Sequence, residues 1–261
     1  MERSMRGRNT DPAHVHFRVG DDSAAVIAMN GDPILVYLKQ ALPASLYRPA
    51  LRDWWPASKD EISNRFSAMS TKGVPGINLD GTETNRLRVS QAILDITPAR
   101  QGMIGYAVAK GRCYKTGLSI SHPGLIENHI ELIELVDSLY KYHLPSIHAR
   151  QWAHVAEIPN WRIGRTAFST GYFAKLLQCG YHPDLHNLRD AMSCIFPMGP
   201  FTGGELVLFR WRIAVAYVSG DLLLFNPKFY HGNLPFTGLR MSAVFFCDKN
   251  IAKCRDCGQS E

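Results

Sequence analysis

The chain predicts an α+β fold: a double-stranded β-helix, or jelly roll, with helices packed outside it. Three observations point there. Short apolar runs at 206–209, 214–218, 222–225 and 243–246 are separated by the turn signals Gly203-Gly204, Ser219-Gly220-Asp221, Asn226-Pro227 and Thr237-Gly238. Closely spaced short strands suit a barrel or sandwich of antiparallel sheets. His182-Pro183-Asp184 and the later His231 sit among these runs, where a jelly roll brings a ligand pair and a histidine on a later strand to one mouth. The helical patterns, at 58–70 and 125–143, both precede the strands.

Taken in order, residues 1–22 are polar and basic, with Arg3, Arg6 and Arg8, and read as a flexible arm. Residues 23–261 then form a single domain whose core motifs span about 161–254. An apolar run over 33–42 ends at Pro43. Ser58-x-x-Glu61 reads as a capping box, and Ile62, Phe66 and Met69 follow at helical spacing, so a helix is expected over about 58–70. Residues 71–85, rich in Gly, Asn, Asp and Thr, read as a loop. Glycines punctuate 100–106, which reads as a surface turn or loop ahead of the barrel. Residues 125–143 carry apolar side chains on one helical face until Pro145 stops the helix, which would cover the larger sheet.

At 261 residues and 46% hydrophobic content the chain can bury a sizeable core. No window reaches the ~18 apolar residues of a membrane span, and the start lacks the apolar middle of a signal peptide. The expectation is an intracellular monomer with no membrane partner, nuclear in a eukaryote and otherwise cytoplasmic. A net charge of +6 and a pI near 9.0 favour an anionic partner, nucleic acid first. Arg210 and Arg212 lie two apart in a predicted strand and so should share a face. The six cysteines lack a framework spacing and are expected as thiols. Cys254-x-x-Cys257 with Cys247 is the lesser, zinc-binding alternative.

Two imidazoles and one carboxylate, His182, Asp184 and His231, can hold one face of an iron ion and leave the other open. That is the pattern of non-haem Fe(II) oxygenases. Arg240 follows in a strand-like segment, where its guanidinium can pair fork to fork with the distal carboxylate of 2-oxoglutarate, with Ser242 beside it.

The segments FSTGYFAKLLQCGYHPDLHN, GPFTGGELVLFRWRIAVAYVSGDLLLFNPKFYHGN and GLRMSAVFFCDKNIAKC resemble the 2-oxoglutarate/Fe(II) dioxygenases, and within them the TET/JBP group that oxidises bases in nucleic acid. The resemblance covers about 161–254. It implies Fe(II) and 2-oxoglutarate as cofactor and co-substrate, with ascorbate as a reductant. It further implies DNA as partner, with a methylated base flipped out of the stack. The first substrate it suggests is 5-methylcytosine, taken to 5-hydroxymethylcytosine and beyond; N6-methyladenine and thymine are alternatives. Many relatives have an acidic residue where this chain has Asn187, three positions past Asp184. An amide can accept or donate and so does not fix the base. Asp248 is a second candidate for the base edge, Arg100 and Gln101 are expected near the pocket, and Phe201, Phe229, Tyr230 and Phe246 are candidates for stacking. The same iron centre also serves hydroxylases of proteins and small molecules, which remains the alternative reading.

Overall fold

Alternation along the strands sorts the apolar side chains into two layers. In Met241–Phe246, Met241, Ala243 and Phe245 join one cluster, and Val244 and Phe246 join another, as a side-chain period of two requires. The computed structural model describes residues 5, 8, 10–61, 76, 77, 83, 84 and 99–256. Its first strands are β1 (Phe17–Val19), β2 (Ala24–Ile27), β3 (Pro33–Leu38), β4 (Asp60–Glu61), β5 (Gly76–Ile77), β6 (Glu83–Thr84), β7 (Arg100–Ala109) and β8 (Arg112–Lys115). They are followed by β9 (Thr170–Lys175), β10 (Ser193–Met198), β11 (Phe201–Gly203), β12 (Leu206–Leu208) and β13 (Ile213–Val215). The last are β14 (Leu222–Phe225), β15 (His231–Asn233), β16 (Phe236–Gly238) and β17 (Met241–Phe246).

The large sheet runs β2-β3-β14-β10-β17-β9-β7-β4, with β8 paired to β7. The small sheet runs β1-β13-β12-β15. The layer between the sheets is built from Tyr172, Ile195, Leu206, Leu208, Val215, Leu223, Phe225 and Val244. The second layer lies between the large sheet and the helices α1 (Ala44–Ala57) and α2 (Ile130–His143). Trp54 of α1 is fully buried there, stacks on Phe173 at 4.3 Å between ring centroids and donates its indole N–H to the Leu125 carbonyl at 2.9 Å. A buried polar network ties α2 to the next helix, α3 (Pro145–Val155): the Asp137 carboxylate accepts from His148 Nε2 at 3.0 Å and from the Ala167 N–H at 2.9 Å. Paired in this way, the buried groups escape the cost of unmet hydrogen bonds. Among the described residues no helix is long and apolar enough to cross a membrane.

The strands expected at 206–209, 214–218, 222–225 and 243–246 correspond to β12, β13, β14 and β17. Several other expectations are corrected. Within the described part of 1–22, Met5 is buried, the Thr10 hydroxyl donates to the Asn233 carbonyl at 2.6 Å, and β1 pairs in parallel with β13. That stretch is therefore held by backbone pairing rather than being a loose arm. Ser58 closes a helix instead of opening one: its hydroxyl donates to the Trp54 carbonyl, and 60–61 is a strand paired with β7. The remainder of the expected 58–70 helix lies outside the described residues, as does nearly all of the 71–85 loop. The helix that does form, α1, contains Pro49 and Pro56, residues that read locally as breakers. The glycine-punctuated 100–106 segment is strand, paired with β9. Gly105 (φ +85°) bends it where a Cβ would meet the Ser169 carbonyl oxygen at 2.3 Å. The 125–143 helix is split, with a short turn at Gly124–Glu127 before α2. Cys113 and Cys254 form a disulfide, so neither is a thiol and Cys254 is no zinc donor. Cys257 lies outside the described residues.

Candidate metal and co-substrate site

The small sheet assembles the histidine pair. His182 and His231 face each other in an antiparallel bridge, with N–H to carbonyl distances of 2.9 and 3.1 Å. The His-Gly-Asn triplet makes this approach possible. A Cβ on Gly232 would lie 2.9 Å from the carbonyl oxygens of both Cys179 and Gly180, so only glycine lets the 179–182 segment pass. Next to it, Asn233 Oδ1 accepts from the Cys179 N–H at 2.7 Å and fixes that segment in register. Asp184 is held by its own N–H, which donates to the Pro227 carbonyl at 2.8 Å.

One nitrogen or oxygen from each of His182, Asp184 and His231 lies within 4.8 Å of the others. His182 Nε2 is 3.6 Å from Asp184 Oδ1, and His231 Nε2 is 3.8 Å from Asp184 Oδ2. Each imidazole is oriented from behind: Nδ1 of His182 is 2.9 Å from the Gly180 carbonyl, and Nδ1 of His231 is 2.8 Å from the Phe229 carbonyl. A carbonyl only accepts, so both Nδ1 atoms carry the proton. Both Nε2 lone pairs then face the carboxylate. With both imidazoles neutral, three acceptors converge in a largely buried space, an arrangement that suits a cation at their centre, and backing carbonyls of this kind orient metal-ligating histidines. The donor set and its orientation fit a divalent iron with a vacant face. Phe225 packs its ring against His231, edge to face, at 4.8 Å between centroids.

Arg240 immediately precedes β17 and is only 3% exposed. Its guanidinium lies over Phe201, Tyr217 and Phe236, with its central carbon 5.3, 5.4 and 5.3 Å from the ring centroids. Nη2 donates to the Tyr217 hydroxyl at 2.7 Å, while Nε is buried with no hydrogen-bond partner among the described residues. Within those residues Arg240 has no carboxylate in salt-bridge range. A buried guanidinium with donors to spare fits the far carboxylate of a dicarboxylate co-substrate. Burial pushes the Tyr217 phenol above its usual range against the pull of Arg240, which keeps it protonated and able to donate. Tyr217 was not singled out in the sequence, where it is one more apolar-looking residue in the 214–218 run; a tyrosine hydroxyl that must find a buried partner was the available signal. Ser242 is buried on the inner face of β17, aligned with Ala174 of β9.

The other candidates separate. Asn187 bridges to Asp248 and donates from Nδ2 to Ser193 Oγ at 2.6 Å. The Asp248 carboxylate accepts from the backbone N–H groups of Asn250, at 2.8 Å, and Val108, at 3.4 Å, so it orders a strand-end turn. Gln101 lies on β7 and accepts from the Tyr172 hydroxyl at 2.9 Å, with Arg100 beside it. Phe246 belongs to the inter-sheet core, Tyr230 packs against a cluster around Tyr181, Phe201 covers Arg240, and Phe229 meets Trp211. Arg210 and Arg212 do not share a strand face. Residues 209–211 form a 3-10 turn, Arg212 adopts φ +55°, and its Nη1 donates to His16 Nε2 at 2.7 Å.

No protein-family model matches the chain. Over 142 residues, 52% of the chain, it is 28% identical to the bifunctional helicase and thymine dioxygenase JBP2 of Leishmania major, of which it spans 13%. Over 138 residues it is 27% identical to the thymine dioxygenase JBP1-A of Trypanosoma cruzi, of which it spans 16%. The chain thus covers a small part of the length of these relatives. The solved structure of NgTET1 in complex with 5mC DNA superposes with a TM-score of 0.62, covering 94% of this chain and 81% of that one at 15% identity. The chain is therefore TET/JBP-like in two respects: over about half its length its sequence is similar to the JBP thymine dioxygenases, and it shares its fold with NgTET1.

Proposed function

We propose that the protein is an Fe(II)- and 2-oxoglutarate-dependent dioxygenase that oxidises the C5 methyl group of a pyrimidine in DNA. The observation that carries this is the largely buried His182–Asp184–His231 triad on the same barrel as the aromatic-walled Arg240, which has no carboxylate in salt-bridge range among the described residues. In this reading the triad holds iron from one face, and Arg240 with Tyr217 holds the distal carboxylate of 2-oxoglutarate, with Ser242 alongside. When bound, iron and 2-oxoglutarate supply the oxidising power of dioxygen that turns a methyl C–H into a hydroxymethyl group, with succinate and carbon dioxide released. The chain contributes position and apolar surroundings. The backing carbonyls of Gly180 and Phe229 fix the imidazoles, and Phe225, one of the inter-sheet residues, packs against His231.

Two observations support DNA as the substrate. The relatives in sequence are named thymine dioxygenases, and the chain carries net charge +6. A base inside a duplex must flip to reach such a site. The Asn187 amide, held through one Nδ2–H by Ser193 Oγ, retains a second N–H and a carbonyl oxygen that can accept from a base. That acceptor suits the N4 amine of cytosine and the N3–H of thymine alike, so thymine and 5-methylcytosine are the two bases to test first. The experiment is mass spectrometry of nucleosides after incubation with Fe(II), 2-oxoglutarate, ascorbate and DNA carrying thymine, 5-methylcytosine or N6-methyladenine. The expected result is a hydroxymethylpyrimidine with matching succinate. Succinate stimulated by a peptide or metabolite pool, and by none of the DNAs, would leave a dioxygenase of another substrate class.

A further inference from the structure

We infer that Arg210, Trp211, Lys228 and Phe229 form a cation–aromatic shelf at the rim of the site that receives the DNA strand flanking the oxidised base. This rests on the DNA reading above and adds where the strand lies. The Trp211 and Phe229 rings meet edge to face, 4.3 Å apart at an interplanar angle of 85°. The Arg210 guanidinium lies 5.7 Å from the centroid of each ring, and Lys228 Nζ lies 5.3 Å from that of Phe229. Both cations are exposed and both rings are half-buried. Arg210 has no ion pair among the described residues. Lys228 pairs with Asp190 at 2.8 Å, but both partners are about half exposed, and an ion pair so open to solvent is readily exchanged for another anion. Asp190 is the acidic group at this edge, and the exposed Arg189 offsets it.

The shelf is tied by backbone to the metal ligands. Pro227 accepts from the Asp184 N–H at 2.8 Å, and Phe229 accepts from His231 Nδ1 at 2.8 Å. Lys228 therefore stands between the two contacts that fix Asp184 and His231, and Phe229 lies two residues before His231 in the chain. A base delivered to the triad is flipped out of the stack, which leaves the flanking nucleotides outside the pocket, and the shelf offers what those neighbours need. Ring surface takes a base or sugar whatever its sequence, and flanking cations take phosphates. The barrel core needs neither exposed cation.

The test is fluorescence anisotropy of a labelled DNA duplex containing thymine and 5-methylcytosine, titrated with the full chain over a range of salt. Arg210→Glu is expected to weaken binding roughly ten-fold or more and to flatten the salt dependence by about one phosphate's worth. Phe229→Leu keeps apolar volume but removes the ring, and should weaken binding roughly five- to a hundred-fold with the salt slope unchanged. DNA should quench part of the tryptophan emission, and Trp211→Phe should remove that part. Arg112→Glu, on exposed β8, makes the same charge change elsewhere. Thermal unfolding of each variant establishes that it is folded. If Arg112→Glu weakens binding as much as Arg210→Glu, the attraction is diffuse and the shelf is wrong. Parent binding that neither shelf variant alters overturns the shelf and leaves the DNA reading standing. A parent chain that binds no DNA overturns both.

Discussion

Replacing Arg240 by Lys keeps a positive charge but removes the planar fork. In the structure the guanidinium is enclosed by three rings, is 3% exposed and spends one N–H on Tyr217. An ammonium there can meet a carboxylate with one hydrogen bond where the fork offers two. A hydrogen bond to a charged group is worth about 1.5–3 kcal/mol, so the KM for 2-oxoglutarate should rise roughly ten- to a hundred-fold. The kcat should change less, because the lost contact serves binding as well as turnover. Succinate formation against 2-oxoglutarate concentration reads this directly. Protection against heat supplies a readout that needs no turnover: a ligand at a hundred times its Kd stabilises a protein by about 2.7 kcal/mol, and at the same concentration the variant should lose about half of that for a ten-fold weaker Kd and most of it for a hundred-fold weaker one. Tyr217→Phe should give a smaller rise, since it removes a donor and leaves the fork. If Arg240→Lys has the parent KM and the parent protection, the anchor is elsewhere. Arg210, Arg212 and Lys228 would come next, although all three are exposed and lack the dry surroundings that make a single charge pair strong.

Other perturbations test the frame around that site. His231→Ala should abolish Fe(II) binding in equilibrium dialysis while circular dichroism stays that of the parent, because the bridge to His182 is made by backbone; turnover at the parent rate after all three ligands are changed to Ala would refute the site. Gly232→Ala puts a Cβ within 2.9 Å of two carbonyl oxygens, so it should displace the 179–182 segment and lower Fe(II) affinity at least about ten-fold, an effect of the size seen when a metal site's supporting shell is disturbed. Trp54→Ala empties the centre of the helix-facing layer and should cost about 3–5 kcal/mol in urea unfolding. Cys113→Ser should cost about 2–4 kcal/mol by opening the loop that the Cys113–Cys254 bond closes; alkylation of both sulfurs in the unfolded chain without reductant would show that the bond is not formed.

Residue type and order, with the family resemblance, pointed to the triad and the arginine that the fold places on one barrel. Two imidazoles, a carboxylate and a later arginine form a set few other chemistries need, and the strands around them announce themselves by local alternation and by turns such as Ser219-Gly220-Asp221. What the tertiary structure decided are contacts between residues far apart in the chain. Tyr217 becomes the partner of Arg240 only when β13 and β17 belong to one barrel. Thr10 and Met5 leave the expected arm because β1 finds β13 and Asn233 lies within reach. Cys113 meets Cys254 across most of the chain. Proline-bearing α1 is stable because Trp54 buries its indole under Leu125 and Phe173, a gain that outweighs the local penalty. Arg212 leaves the face of Arg210 because the chain turns at 209–211 to bring Phe209 onto the Tyr230 carbonyl. Periodicity reports what a segment does with its own neighbours, whereas burial and hydrogen-bond satisfaction are settled by whichever distant segment arrives, and that is why the His182–Asp184–His231 set could be picked out in one dimension and its supports could not.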